Sequence, residues 1–231
     1  MAISTYVLVD FLRSSPRSNE ASLKYFLLGA FSSAILLYGF SLLYGIAGST
    51  HFFDIRDALA QRPLTDPLSL MALGTVVAGL FFKIAAVPFH QWTPDAYEGA
   101  PTSITAYMSV AVKAASFGIM VRLLMSALFP LQAHWLVILS VASALTMTVG
   151  NIAAITQSNV KRLLAYSSIS HAGYILLGLI AGNDTGMTAI LVYLLVYTFT
   201  NLGVWAIVVA LRRKDMIGQH IDEMSGLYYR H

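Results

Sequence analysis

Lys83 and Lys113 each interrupt an otherwise apolar stretch of membrane length. Between them lies a proline-punctuated run, residues 87–101 (VPFHQWTPDAYEGAP), which carries Asp95 and Glu98. An ammonium at the bilayer centre costs about 3 kcal/mol even on a lenient insertion scale, so an intramembrane lysine points by default to an ion path. The chemistry such a lysine offers is the holding and release of a proton. Desolvation disfavours a charged amine and a second cation nearby disfavours it further, which brings both protonation states within reach at neutral pH. Lys83 lies five residues before Pro88, where carbonyls freed by a helix break require a water or protein cavity. Its competing role is that of a lysine snorkelling from a helix end. Lys113 sits near the middle of its stretch, too deep to snorkel, with Ser109 and Ser116 at i−4 and i+3 on the same helical face. Its competing role is a structural ion pair with an acid on another helix. Arg122, about two turns from its helix end, reads as a structural or snorkelling cation.

Three further groups have types that could extend a hydrated path. His90, Asp95 and Glu98 could relay protons at the break; equally, the acids could cap or pair locally and the imidazole bond exposed carbonyls. Ser167, His171, Tyr174 and Gly178 step by four, three and four onto one face, and His171 is the member that titrates near neutral pH. A buried, hydrogen-bonded histidine serving packing is the alternative. Tyr193, Tyr197, Asn201 and Val204 form a weaker stripe that reads as helix packing.

Composition limits everything else. The chain is 57% apolar and 11% charged, with a mean hydropathy of +0.70, values outside the range of soluble domains. It contains no cysteine, which removes disulfides, iron–sulfur ligation and thiol catalysis, and its six histidines lack any paired ligand spacing. Redox chemistry is therefore expected elsewhere, with no cofactor or metal bound by this chain. A formal charge of +3 could suggest nucleic acid, but the basic residues cluster at segment ends, where membrane topology accounts for them. No phosphate loop, dinucleotide fingerprint or nucleophile elbow occurs.

The expected class is all-α: a polytopic membrane helix bundle of six full crossings plus a truncated first one, in a single membrane domain over residues 1–231. The crossings fall at about 25–48, 68–87, 103–129, 135–155, 163–182 and 187–211 from apolar run length, with a broken helix near 83–102. The break is expected around Pro88 to Trp92, followed by a short helical piece. Arg13, Arg17 and Lys24, then Lys161 and Arg162, then Arg212, Arg213 and Lys214 all fall on one face, which is cytoplasmic by the positive-inside rule. The acidic 92–102 segment falls on the same side, and a re-entrant broken helix explains acids at that depth. No signal peptide is visible, and the chain opens within an apolar segment and stops in a polar connector, as the interior of a longer subunit would.

Residues 82–101 (FKIAAVPFHQWTPDAYEGAP) and 161–171 (KRLLAYSSISH) closely resemble subunit N of bacterial NADH–quinone oxidoreductase, complex I, of the antiporter-like membrane subunit family. The likeness extends through essentially all of the chain. The resemblance implies an antiporter-like fold of inverted repeats and a charged axis along the membrane midplane that passes protons. It assigns Lys83 to the lysine before the first broken helix and Lys113 to the relay lysine of the next helix. It also implies a partner glutamate upstream of Met1, an exit-side lysine beyond His231, and other membrane subunits as partners in the inner (cytoplasmic) membrane. NADH, flavin, iron–sulfur clusters and quinone then belong to other subunits. A subunit of a multisubunit cation/proton antiporter and a structural scaffold are the two alternatives.

Overall fold

A computed structural model describes residues 2–11, 14–213 and 220–225. Arg13 and Lys214, two of the basic residues used to orient the chain, lie outside the described residues, as does the connector from residue 226 onward. Among the described residues the structure is helical apart from a single isolated bridge between Asn159 and His220. Six helices among the described residues are long and apolar enough to cross a membrane. They are α2 (Pro16–Ala47), α4 (Pro67–Ile84), the run Thr102–Ala127, α8 (Gln132–Ile155), α9 (Val160–Ala181) and α10 (Asp184–Arg213). A short α1 (Ala2–Val9) precedes them and packs on α2.

The helix boundaries follow from capping. α2 starts nine residues before its apolar stretch because Ser15 caps it and Pro16, already lacking an N–H, fits its first turn. Arg17 and Lys24 therefore stand inside this helix, not ahead of it. Asp66 caps α4 through the Ser69 N–H at 3.0 Å, and Asn159 caps α9 through the Lys161 N–H at 2.9 Å. Gly182 ends α9 at a φ of 62°, a conformation that glycine adopts without cost. The polar loop expected between the first two crossings holds a helix, α3 (Phe52–Ala60), whose Ile55 and Leu59 are buried.

The break comes earlier than expected. α4 ends at Ile84 and the chain turns at Ala85, a non-glycine residue at φ 61°. The cause is still Pro88, whose ring would clash with the carbonyl four residues back, that of Ile84, if the helix continued. The backbone groups exposed by the break find partners. Trp92 Nε1 donates to the Phe82 carbonyl at 3.0 Å, and the Val87 N–H donates to Thr146 Oγ1 of α8 at 3.0 Å. Irregular backbone inside a bundle is tolerated on that condition. The second piece, α5 (Trp92–Gly99), leads directly into the next crossing.

That crossing is continuous but irregular: α6 (Thr102–Tyr107), a π turn (Met108–Val112), α7 (Lys113–Arg122) and a second π turn (Leu123–Ala127). Widened turns of this kind rotate the face a residue presents. The core divides into two clusters. One gathers α3, α4, α7, α8 and α9 around Trp135, Phe117 and Leu124. The other surrounds α5 and includes Tyr25, Phe82, Trp92, Tyr97, Ile169 and Trp205.

Candidate proton-transfer site

Lys113 is 3% exposed. It follows the first π turn directly, and its amine points at α9, where it donates to both the backbone carbonyl and, at 2.7 Å, the hydroxyl of Ser168. Ser168 Oγ lies 2.8 Å from the Tyr197 hydroxyl of α10. Asn201, one turn further along α10, donates from Nδ2 to Tyr197 Oη at 3.2 Å and to Ser109 Oγ at 2.7 Å. The Lys113 amine also stands 6.0 Å from the Tyr197 ring centroid, within reach of the negative ring face. Among the described residues no carboxylate pairs with Lys113; its surroundings are neutral dipoles.

The expected serine lining is thereby corrected. Ser116 Oγ turns back to the Val112 carbonyl at 2.7 Å, and Ser109 reaches the site only through Asn201. The π turn, which contains Ser109 and ends just before Lys113, breaks the i−4 relation that ordinary helix geometry would give. On α9 the face that meets Lys113 carries Ser168, not Ser167.

His171 stands beside this group. Its Nδ1 is 2.6 Å from the Tyr193 hydroxyl, and its ring centroid is 5.1 Å from that of Tyr197. The stripe on α10 that reads in sequence as packing thus supplies Tyr193, Tyr197 and Asn201 to the two titratable groups, while Val204 is exposed.

Lys83 has different surroundings. Half-buried at the end of α4, it donates to Ser33 Oγ of α2 at 3.3 Å and lies 5.7 Å from the Phe82 ring centroid. Ser33 in turn donates to the Gly29 carbonyl at 2.7 Å. Among the described residues, no hydrogen-bonded chain runs from Lys83 to Lys113. The contacts that lead from one to the other are aromatic: Phe82 stacks on Trp92 at 5.3 Å, Trp92 meets Tyr97 edge-on at 6.4 Å, and the Tyr97 hydroxyl bears on Ser168.

His90 lies half-buried in the turn after the break and makes no hydrogen bond with either lysine. Burial pushes its imidazole below the ordinary value, against a hydrogen bond at the Pro88 carbonyl. Asp95 and Glu98 neither cap nor pair locally. Arg162 of α9 reaches Asp95 at 2.8 Å and Glu98 at 3.0 Å, and Lys24 of α2 reaches Asp95 at 3.1 Å. Burial would raise the Asp95 carboxyl, but the hydrogen bonds from Arg162 and Lys24 outweigh it and hold the group below the usual carboxylate range. Lys161 adds bonds to the Ala100 and Glu98 carbonyls at 2.6 and 3.2 Å, capping the end of α5. These acids are a clamp that holds α5 against the basic starts of α2 and α9. Arg122 is exposed, its guanidinium 5.7 Å from the Phe52 ring centroid. No group of three or more His, Cys, Asp or Glu side chains that could hold a metal occurs among the described residues.

The chain is similar to known proteins over its whole length. It is 57% identical over 230 residues to "NADH-quinone oxidoreductase subunit N 2" of Solibacter usitatus, covering all of this chain and 47% of that protein. It therefore spans about half the length of the curated relatives it matches. Its fold matches a chain of respiratory complex I from Thermus thermophilus with a TM-score of 0.73 at 40% identity, over 90% of this chain and 43% of that one. It also matches a chain of the Mrp complex from Dietzia sp. with a TM-score of 0.80 at 27% identity, over 90% and 38% respectively. The family described as "NADH:quinone oxidoreductase/Mrp antiporter, TM" matches residues 1–231, and the chain belongs to that family.

Proposed function

We propose that residues 1–231 form one membrane unit of a subunit N of NADH–quinone oxidoreductase, sited in the inner (cytoplasmic) membrane, that passes protons while quinone is reduced elsewhere in the complex. The observation that carries this reading is the Lys113 site: an amine 3% exposed, within a 26-residue crossing, held by the carbonyl and hydroxyl of Ser168, which Tyr197 backs, with no acid beside it among the described residues. A lysine kept for structure would be expected to sit against a carboxylate, because an unpaired buried charge is costly. An amine solvated only by dipoles retains both protonation states as working options.

Lys113 takes the relay role, Lys83 the role of the earlier carrier, and His171 that of a group next along from Lys113. His90 is the weakest member of this set, since it contacts neither lysine. Among the described residues no hydrogen bonds join Lys83 to Lys113, so the proposed transfer between them needs water. NADH, flavin, iron–sulfur clusters and quinone are assigned to other subunits of the complex.

The test is made on the intact complex in inverted membrane vesicles. Lys113→Met is expected to leave assembly on a native gel unchanged while quinone-linked NADH turnover and proton uptake fall together by at least about tenfold, the size expected for loss of one essential proton-transfer group. Lys83→Met is expected to act in the same direction. Wild-type proton uptake by the assembled Lys113→Met enzyme would refute the reading. A cation/proton antiporter subunit shares the fold, but at 27% identity the Mrp chain is a more distant match than the subunit N relatives at 45–57%.

A further inference from the structure

Asn201 touches two members of the Lys113 surroundings, and the direction of each hydrogen bond can be worked out. Ser109 Oγ donates to the Ala106 carbonyl at 2.8 Å, which uses its one proton. At 2.7 Å from Asn201 it must therefore accept, and this fixes the amide nitrogen toward it. The same nitrogen lies 3.2 Å from Tyr197 Oη and has no lone pair to offer, so Tyr197 also accepts there and keeps its proton to donate. Ser168 Oγ, 2.8 Å from Tyr197, is the acceptor in reach. Ser168 then accepts from two sides at once, from Tyr197 and from the Lys113 amine.

We infer that Asn201, acting through Tyr197, is a positioning residue for Lys113: its amide sets the direction of the hydroxyl chain so that Ser168 presents lone pairs to the amine. A carboxamide neither takes up nor gives away a proton at neutral pH, so the line ends at Asn201 and is a holder, not a proton route. The same amide ties Ser109, which lies within the π turn just before Lys113, to α10. Irregular turn, lysine and acceptor are thereby set by one side chain.

This inference rests on Lys113 carrying protons, and the experiment separates the two. The intact complex is prepared with Asn201→Leu, Tyr197→Phe, the two combined, Asn201→Asp, and Lys113→Met as the reference. Asn201→Leu and Tyr197→Phe are each expected to lower quinone-linked proton uptake about fivefold in assembled enzyme, the size of one lost hydrogen bond. The combined variant should lose no more than either alone, because the two residues act in one line. Asn201→Asp keeps the shape but replaces donors by acceptors. A carboxyl of ordinary value stays ionised from about pH 6 to 8, so uptake by this variant should be at least as low as that of Asn201→Leu across that range, a loss that a merely shape-filling role would not give. The titratable groups around this point are Lys113 on α7, His171 on α9, Tyr97 on α5, and Tyr193 and Tyr197 on α10. Tyr197→Phe removes a single oxygen, so it reports even where a variant at Asn201 fails to assemble. Wild-type uptake in the single variants, Asn201→Asp included, or additive losses in the combined one, beside an inactive Lys113→Met, would overturn the positioning role alone. Full uptake by Lys113→Met would bring down the carrier reading and this one with it.

Discussion

Lys113 and Lys83 are both amines in membrane-length helices, and the structure accommodates them in opposite ways. Around Lys113 the helix stays continuous, widens by a π turn, and meets two other helices at the amine, α9 through Ser168 and α10 through Tyr197. Around Lys83 the helix ends one residue later, and the amine rests half-buried on a single serine hydroxyl of α2. The first arrangement fixes an amine by two bonds to one serine backed by a tyrosine; the second holds one at a chain break by a single, longer bond to a serine hydroxyl. On the proposed function, the firmly held amine is the one whose immediate partners matter more to proton transfer.

The largest effect that could break this comparison acts on packing behind the Lys113 site. α8 and α9 approach so closely that a Cβ on Gly150 would lie 2.8 Å from the Ser170 backbone nitrogen and 3.0 Å from its Cα. Gly150→Ala must therefore move α9, and Ser168 with it, at a cost of about 2 kcal/mol, seen as a lower unfolding midpoint of the purified complex in detergent. An unchanged midpoint would show that the α8–α9 contact does not set the Lys113 site. Next comes the direct contrast of the two serines. Ser168→Ala should lower proton uptake by about tenfold, since it removes the hydroxyl shared by Lys113 and Tyr197, whereas Ser33→Ala should cost about twofold. Equal losses would erase the distinction between a fixed and a loose site.

The smallest effect concerns the clamp on α5. The Asp95 carboxyl is held below the usual range by Arg162 and Lys24. The pairing therefore contributes its full stability above the unfolded carboxylate value of about 4 and loses it as pH falls through the lower folded value. Arg162→Gln removes one of the two cations, so acid loosening of α5 should begin at a higher pH than in the wild type. The difference should stay below about 1 kcal/mol, because pairs this exposed to water are screened. Proteolysis of the 85–101 segment followed against pH would measure it.

The crossings, the depth of Lys113 and the existence of a break are legible in the sequence, because length and apolar content decide the first two and Pro88 the third. What escapes it depends on geometry between elements. No residue type announces a π turn, so Ser109 looks like an i−4 partner of Lys113, and nothing in Ser116 announces that its hydroxyl turns back to the Val112 carbonyl, while the amine's bonds go to Ser168 on another helix. Stepping along α9 by threes and fours picks the His171 face and misses the adjacent one carrying Ser168. Asp95 looks like a local cap because its partners, Lys24 and Arg162, are 71 and 67 residues away. Tyr197 and Asn201 look like packing until α10 is placed against α6 and α9.

The central claim is that Lys113 works by releasing its proton, and Lys113→Arg tests it most directly. Arginine keeps the charge and can reach the same serine, yet it stays protonated under any condition the complex experiences. Proton uptake into vesicles, measured with NADH–quinone turnover on assembled Lys113→Arg complex, should fall by at least about tenfold in both readings together. Wild-type uptake by that variant would show that Lys113 is needed for its charge alone and would contradict the account.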